Sequence, residues 1–246
     1  MHRHAPHSAT FSRPLLSPPC RAAAAASTAK KASRQLGGLL VLLVVVLLVL
    51  PESGKLFAQQ TQPGDQGCQR LTSNFPVLHF GRVPEFDKGT WDFRAEGLVE
   101  NPVRLTYDEF LALERTVDVS DFHCVTGWSR FDNKWEGVRF SDVAKLVKPK
   151  SNARFATIEA EGGYTTSLPL TELMEPNVLF AYAFEGKPLE PMHGGPLRLV
   201  VPKKYAYKCA KWVRRVVFTE KQELGYWEQR GYSNGADPWK EERYSY

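Results

Sequence analysis

The segment DFHCVTGWS, residues 121–129, contains the most reactive combination of side chains in the sequence. Cys124 stands directly after a histidine, and Thr126-Gly127 behind it favours a turn. A thiolate can bind a soft or high-valent metal centre, or it can act as a nucleophile. The alternative is a buried structural thiol or one half of a disulfide, since Cys68 and Cys209 are also present in a chain with an export-type leader. The local sequence leaves both interpretations open.

Two other kinds of cysteine site have less support. His123 and Cys124 are adjacent, and no second ligand pair lies at a workable spacing, which argues against zinc. A thiol hydrolase needs a histidine and an orienting Asn or Asp. His79, His123 and His193 are present, but no local signature of such an enzyme surrounds Cys124.

A second group of residues has the chemistry of an anion site. His193 is followed by Gly194-Gly195, and glycines let a ligand approach the backbone because no Cβ intervenes. Arg198, Lys208 and Lys211 add positive charge, and backbone amides with Arg and Lys are suited to a phosphate-bearing cofactor. A glycine turn between strands with solvated lysines is the equal alternative. For a third segment, residues 161–166 (EGGYTT), a β-turn is the favoured interpretation.

The elements that must position these groups are short. Alternating apolar residues predict a strand over 91–99, and runs rich in β-branched and aromatic residues predict strands over 153–160, 178–184, 196–202 and 212–218. A capping box at Thr106–Glu109 predicts a helix through Leu113, and Ser141 is predicted to cap a helix over 142–147 that Pro149 closes. The last 25 residues are aromatic and non-periodic, typical of an irregular segment packed on the core. The pattern predicts an α+β fold.

Composition limits the class of protein. The 246 residues are 43% hydrophobic, enough for one sizeable core. The net charge of +5 arises from residues 1–58, which hold seven basic residues and one acid, whereas the remainder holds 25 basic and 26 acidic residues. A near-neutral globular part predicts no nucleic-acid partner. No glycine-rich nucleotide motif follows a predicted strand.

The N-terminal segment has the parts of an export signal. Residues 36–50 carry no polar side chain, follow Lys30-Lys31 and Arg34, and end at Pro51; Ala58 offers a small residue for cleavage. The run is shorter than the ~20 residues of a membrane span, so a cleaved signal is favoured, with a retained anchor as the alternative. Either way we expect the rest of the chain outside the cytoplasm. The predicted organisation is a leader at 1–58, a linker at 59–73 and one domain at 74–246.

Four ordered motifs together resemble the molybdopterin-binding domain of the sulfite-oxidase superfamily. The resemblance runs from about Asn74 to the C-terminus and is nearest to the short bacterial branch related to the catalytic subunit of the periplasmic methionine sulfoxide reductase. The motifs are DFHCVTGWSRFDNKWEGV, GGYTTSLPL, HGGPLRLVVPKKYAYKCAKWV and GYWEQRGYSNGADPWKEERY.

The resemblance implies a site for molybdenum held by molybdopterin. It assigns Cys124 as the protein ligand of the metal, and it implies cofactor contacts from His193, Arg198 and the turn Cys209-Ala210-Lys211. Relatives often have serine where Cys209 stands, so a backbone contact there is better supported than a side-chain contact. With Cys124 on the metal, Cys68 and Cys209 could pair with each other. More loosely, Asn74, His79 and Arg82 fall in the stretch that approaches the cofactor in relatives, and Tyr164 (a catalytic candidate) and Thr165 fall near the substrate mouth.

The implied function is oxygen-atom transfer on a small S-oxide, N-oxide or sulfite-like substrate. The chain has no room for the immunoglobulin-like or cytochrome domain of larger relatives, so we expect a separate electron partner, either a cytochrome or a membrane haem or quinone protein. The twin-arginine signal usual for export of a folded cofactor protein is lacking before residue 36. Arg130 could supply a cation for sulfite, although its position favours a surface charge. The alternative function is a non-catalytic extracytoplasmic module that keeps the fold.

Overall fold

The computed structural model describes residues 69–245 of the chain. The predicted leader, its apolar run at 36–50, Cys68 and most of the predicted linker lie outside these residues. No helix in the described part is long and apolar enough to cross a membrane. In chain order its elements are β1 (Arg70–Leu71), β2 (Asp92–Gly97), β3 (Val103–Thr106), α1 (Tyr107–Leu111), β4 (Thr116–Cys124), β5 (Trp128–Arg139), α2 (Phe140–Val147), β6 (Phe155–Ala160), β7 (Thr165–Pro169), α3 (Leu170–Leu173), β8 (Leu179–Phe184), β9 (Lys187–Pro188), β10 (Arg198–Val200) and β11 (Val213–Thr219).

The first sheet is built around the long strand β5. β4 pairs with it antiparallel along one edge, while β1 and β8 pair with its two halves along the other, and β9 and β10 continue the sheet from β8. The strand β1 lies within the stretch predicted as a linker. The 3-residue loop between β4 and β5 ends at Gly127, whose φ of +92° is in the left-handed region that glycine favours.

An irregularity in β5 changes the direction of its side chains. The register passes from Ser120↔Asn133 to Phe122↔Arg130, so β5 has one more residue here than β4. Asp132 lies in this extra stretch with a φ of +53°, and its N–H donates to Asp121 Oδ1 at 3.1 Å. This is a β-bulge, which reverses the facing of all later residues of the strand.

The second sheet has the order β3-β2-β11-β6-β7. Its strands were all predicted from alternation or β-branched runs except β3 and β7. β11 lies in the centre, parallel to β2 and antiparallel to β6. The buried residues Phe93, Ile158, Val216 and Phe218 give this sheet its apolar face. Mixed sheets with short helices confirm the predicted α+β class.

One of the two predicted helix caps is confirmed. Thr106 and Glu109 form the predicted capping box of α1, with both reciprocal bonds present. The prediction that Ser141 caps α2 is wrong, because the helix starts two residues earlier than predicted, at Phe140, and Arg139 occupies the cap position without a side-chain bond. Phe140 is fully buried, and its burial against the sheets sets the start of this helix.

The C-terminal segment is irregular, as predicted, and is attached by a buried ion pair. Lys208 and Glu228 are both buried, and the ammonium contacts the carboxylate directly. Lys208 also donates to the Ser167 carbonyl at 3.1 Å, and the Thr166 hydroxyl donates to Glu228 at 2.9 Å. These bonds fix residues 225–245 beside β7.

Candidate active site

Cys124 is the last residue of β4, where the hairpin turns. Its thiol is 5% exposed and lies 3.1 Å from the Thr126 hydroxyl. The N–H of Gly127 donates to the Cys124 carbonyl at 3.0 Å, which closes the turn around the thiol. Burial raises the pKa of the thiol above its ordinary value, while the bonds from Thr126 oppose that shift. A cysteine held in this way stays protonated until a cation compensates the thiolate.

His123 faces the other side of the hairpin. Its ring is fully buried, with Nδ1 2.8 Å from Ser129 Oγ and the Trp239 ring 5.0 Å away. Burial lowers the pKa of His123 to about 4, so the imidazole is neutral at physiological pH. Adjacent residues of a strand point to opposite faces, and this alternation separates His123 from the thiol.

Cys124 opens into a cavity of about 310 Å³, within the size range of small-molecule and cofactor sites. Of the ten predicted site residues, eight line this cavity although they come from distant parts of the chain. The predicted residues that line it are His79, Cys124, Tyr164, His193, Arg198, Cys209, Ala210 and Lys211. Asn74 and Arg82 are exposed and do not line it.

Arg198 carries a buried charge on the wall of the cavity. The side chain is 2% exposed and donates to the carbonyls of His193 at 2.8 Å and Cys209 at 3.4 Å. It faces the rings of Phe75, Phe122 and Trp135 at 5.0 to 5.7 Å. No carboxylate in the described part pairs with it, and its Nε has no hydrogen-bond partner there. Burial lowers its pKa to about 10, so it stays charged at pH 7 and can bind an anion.

Lys211 and His193 complete the polar side of the cavity. Lys211 donates to the Met192 carbonyl at 2.7 Å, and burial, followed by the nearby Arg198, lowers the pKa of Lys211 to about 7. His193 stacks on Phe75 at 4.9 Å and its Nε2 lies 3.1 Å from the Phe75 carbonyl. Gly194 has a φ of +111°, and a Cβ there would meet Lys211 and Arg198 side-chain carbons at 3.0 to 3.1 Å. Glycine at this position therefore lets both cations approach the same turn.

Cys209 is a free buried thiol within the described part. Its Sγ accepts from the Val201 N–H at 3.3 Å, and its carbonyl accepts from Arg198. The Ala210 carbonyl accepts from the Leu199 N–H at 2.8 Å, so this turn is tied to β10. The predicted pairing of Cys209 with Cys68 concerns a residue outside the described part and stays a prediction.

Tyr164 lines the cavity with its hydroxyl already engaged. The hydroxyl donates to the Tyr207 carbonyl in a short hydrogen bond. Burial raises the pKa of Tyr164 well above its ordinary value, and Glu228 adds to that shift. The phenol is therefore held neutral, with its ring as one wall of the cavity.

The sequence analysis missed the aromatic part of the lining. Phe75, Phe80, Trp227 and Tyr232 all border the cavity, yet they lie in segments without periodicity. The clustering of aromatic residues in the C-terminal segment was the signal available for two of them. Arg130 lies outside the cavity, where it pairs with Glu185 at 3.1 Å and faces the Phe184 ring.

A buried thiol and a buried guanidinium without an acidic partner in the described part line one cavity in a fold of two mixed sheets, an arrangement suited to an anionic cofactor and a soft metal centre. The chain belongs to the oxidoreductase molybdopterin binding domain family, whose model matches residues 80–227. It is a molybdopterin-dependent oxidoreductase of the sulfite-oxidase-like group, which confirms the resemblance, the fold and the Mo-molybdopterin cofactor.

Relatives place the chain among oxidoreductases of this group. It is 44% identical over 179 residues to the uncharacterized oxidoreductase YuiH of Bacillus subtilis, covering 72% of this chain and 90% of that one. It is 30% identical over 166 residues to the putative protein-methionine-sulfoxide reductase subunit YedZ1 of Azospira oryzae, covering 66% of this chain and 63% of that protein. The sulfane dehydrogenase SoxCD of Paracoccus pantotrophus matches in fold with a TM-score of 0.54 and 24% identity, covering 59% of this chain and 42% of the other.

The residues of the cavity fit this cofactor. Arg198 has an orphaned buried Nε and no acidic partner in the described part, which suits a phosphate group. The Cys124 thiol is a soft ligand on the same cavity wall. Among residues 69–245 no group of three or more His, Cys, Asp or Glu side chains is placed to hold a metal ion.

Proposed function

We propose that this protein catalyses oxygen-atom transfer on a small neutral S-oxide or N-oxide, with Cys124 as the protein ligand of molybdenum. The observation that carries this proposal is the buried Cys124 thiol in one cavity with the unpaired Arg198. When bound, the cofactor supplies the two-electron chemistry of the metal, and the protein supplies binding, orientation and electrostatics.

The cations of the cavity bind the anionic part of the cofactor. In this proposal Arg198 and Lys211 hold the phosphate, and the backbone of residues 209–211 with His193 orients the pterin. Metal ligation requires the Cys124 thiolate, so loading releases the proton that burial keeps on the sulfur. The Thr126 hydroxyl, 3.1 Å from Sγ, then donates to the thiolate and stabilises it.

The lining of the cavity supports a neutral substrate. Leu78, Phe80, Val125, Trp227 and Tyr232 form a largely apolar part of this lining, and both cations already donate to backbone carbonyls, Arg198 to His193 and Lys211 to Met192. Sulfite would need a free cation near the metal. Arg130 pairs with Glu185 outside the cavity, and Lys211 and Arg243, whose charges act on Cys124, already donate to the carbonyls of Met192 and Val125. A neutral organic oxide can pack against the aromatic rings without that charge, which favours reduction of a sulfoxide or N-oxide over sulfite oxidation. Tyr164 contributes its ring to the same surface.

The proposal includes an electron partner and a compartment. The oxidised and reduced forms of the site exchange electrons with a separate protein, a cytochrome or a membrane haem or quinone protein. From the export-type leader we infer a periplasmic location, with anchoring to the membrane by residues 36–50 as the alternative to cleavage. Both statements rest on the sequence of the N-terminal segment and on the resemblance.

Metal analysis tests the role of Cys124. Full-length protein from a molybdenum-competent host should contain close to one molybdenum per chain. Cys124→Ser should lose most of the metal, because a hydroxyl is a poorer ligand for a soft centre. The control is Cys209→Ser, a second buried thiol of the same cavity, which should keep the metal. Equal molybdenum in all three proteins contradicts the assignment.

A turnover screen tests substrate and direction. The loaded enzyme should oxidise reduced viologen with aryl or alkyl sulfoxides or N-oxides as acceptors. Sulfite-dependent reduction of ferricyanide without any sulfoxide or N-oxide activity would refute the preference for reduction.

A further inference from the structure

Residues 76–80, here called the strap, cross one side of the cavity. Pro76, Leu78, His79 and Phe80 line the cavity together with the preceding Phe75. The strap belongs to no helix or strand, and residues 76–86 make no backbone–backbone hydrogen bond within the described part of the chain. Within the described part of the chain, side-chain contacts therefore hold the strap in its position over the cavity.

The inner end of the strap is firmly anchored at Phe75. This ring contacts Phe122 at 5.0 Å, Phe184 at 5.3 Å and His193 at 4.9 Å, and it also meets Trp128 and Trp135. The Phe75 carbonyl lies 3.1 Å from His193 Nε2. Opening at this end would disrupt the aromatic core.

The outer end is held by two ring contacts. Phe80 packs on Tyr226 at 4.2 Å, and His79 meets the edge of Trp212 at 5.5 Å. Phe80 is 38% exposed and Leu78 is 55% exposed, so little apolar burial holds them down. Gly81 follows directly, with a φ of +74° and open space around its Cα. Glycine at this point gives the backbone the freedom of a hinge.

We propose that Phe80 is the access-determining residue of the cavity. In this proposal its contact with Tyr226 narrows the mouth between the strap and the C-terminal segment, and the mouth widens by rotation at Gly81 while Phe75 stays in place. The ligands admitted are the cofactor and substrate of the proposed function, on which this inference rests. Local openings of weakly held segments are a normal part of native-state fluctuations.

Alkylation of Cys124 in the cofactor-free chain measures this opening. Full-length protein from a host unable to make molybdopterin is treated with iodoacetamide, and modification of Cys124 is followed by peptide mass spectrometry. When closing is faster than reaction, the rate reports the open fraction. Phe80→Ala should raise the rate about three- to tenfold, the factor expected for loss of one aromatic pair.

The matched control is Phe86→Ala. Phe86 is 42% exposed and also makes one ring contact, with Tyr107 at 5.0 Å, but it does not line the cavity. Phe86→Ala should leave the alkylation rate of Cys124 unchanged. Phe80→Leu, which keeps apolar bulk without the ring pair, should give an intermediate rate at an unchanged melting temperature, so that unfolding cannot account for the increase.

Equal alkylation rates in the wild type, Phe80→Ala and Phe86→Ala would overturn the proposal that Phe80 controls access to the cavity. A rate increase that follows the melting temperature across all variants would overturn it as well. The alkylation assay needs no cofactor and no turnover, so a negative result there does not contradict the proposal of oxygen-atom transfer. In the same way, a negative result in the molybdenum analysis does not contradict the control of access by Phe80.

Discussion

Replacing Arg198 by methionine separates the energetics of the empty cavity from those of the loaded one. Methionine keeps the unbranched apolar stem of the side chain and removes the charged guanidinium. Arg198 is 2% exposed, and the lowering of its pKa to about 10 from the ordinary value of a guanidinium means that burial of the charge costs about 3 kcal/mol. The cost is present at every pH below about 10 and is relieved only as the pH rises above that value. Measurements at neutral pH therefore include all of it.

Two carbonyls would lose their donor in the Arg198→Met variant. The His193 and Cys209 carbonyls accept from the guanidinium, and each buried carbonyl left unpaired costs about 1–3 kcal/mol. This loss offsets the relief of the buried charge. We expect the free energy of unfolding of the cofactor-free variant to lie within about 3 kcal/mol of wild type.

The loaded protein should respond far more strongly. Loss of charge-assisted bonds to a phosphate costs about 2–4 kcal/mol, which corresponds to a 30- to 1000-fold weaker cofactor affinity. The assay is denaturant unfolding of the loaded and cofactor-free chains, because a ligand that binds only the native state stabilises it by an amount that grows with the logarithm of its affinity. The difference between the two forms should be smaller by about 2–4 kcal/mol in Arg198→Met.

Arg130→Met is the control for this prediction. Arg130 also faces an aromatic ring, Phe184 at 5.0 Å, but it lies outside the cavity. The Arg130→Met variant should leave the stabilisation of the protein by the cofactor unchanged. An Arg198→Met variant that keeps the full stabilisation by cofactor, or that loses about 4 kcal/mol or more without cofactor, would refute the assignment of Arg198 as an anion anchor.

Three further predictions concern stability in unfolding experiments. Lys208→Met should lower the free energy of unfolding by about 3–5 kcal/mol, because Glu228 is left buried and unpaired. The double variant Lys208→Met/Glu228→Leu should recover part of that loss. An equal loss in the single and the double variant would contradict the prediction. The pKa of Asp92 is about 2 because hydrogen bonds from three arginines outweigh its burial. The free energy of unfolding should therefore fall by about 2 kcal/mol as the pH drops from 4 towards 2. In an acid titration, Asp92→Asn should abolish this contribution to the pH dependence. Gly137→Ala places a Cβ 2.1 Å from the Phe180 carbonyl and should cost about 1–3 kcal/mol or more in chemical denaturation, whereas an unchanged midpoint would show that β5 shifts freely.

The sequence predicted those elements whose residues alternate or cap locally. The strand at 91–99 and the capping box of α1 depend on neighbours within a few residues, and both are confirmed. The hairpin of β4 and β5 was not predicted, because β5 is polar (RFDNKWEG) and lies half on the surface. Its pairing partners, not its own periodicity, make it a strand.

The principal residues of the candidate site could be predicted from sequence motifs, whereas the aromatic residues that cover them could not. Cys124, His193 and Arg198 stand in recognisable segments, and the structure brings them to one cavity. The burial of Arg198 under three rings depends on Phe75, which is 123 positions earlier in the chain. Contacts at such separation leave no local pattern. The resemblance placed His79 near the cofactor, but it gave no role to Phe75 or Phe80.

The bulge at Asp132 decides which way the tip of the hairpin faces. Trp128 and Trp135 are an odd number of positions apart, so in a regular strand their indoles would lie on opposite faces, yet both contact Phe75. The extra residue restores their common orientation. Removing that one residue would turn Trp128 to the opposite face of β5, away from Phe75 and the cavity wall that it lines. The hairpin can therefore accept exchanges of side chains along β5 more easily than the loss of this single residue.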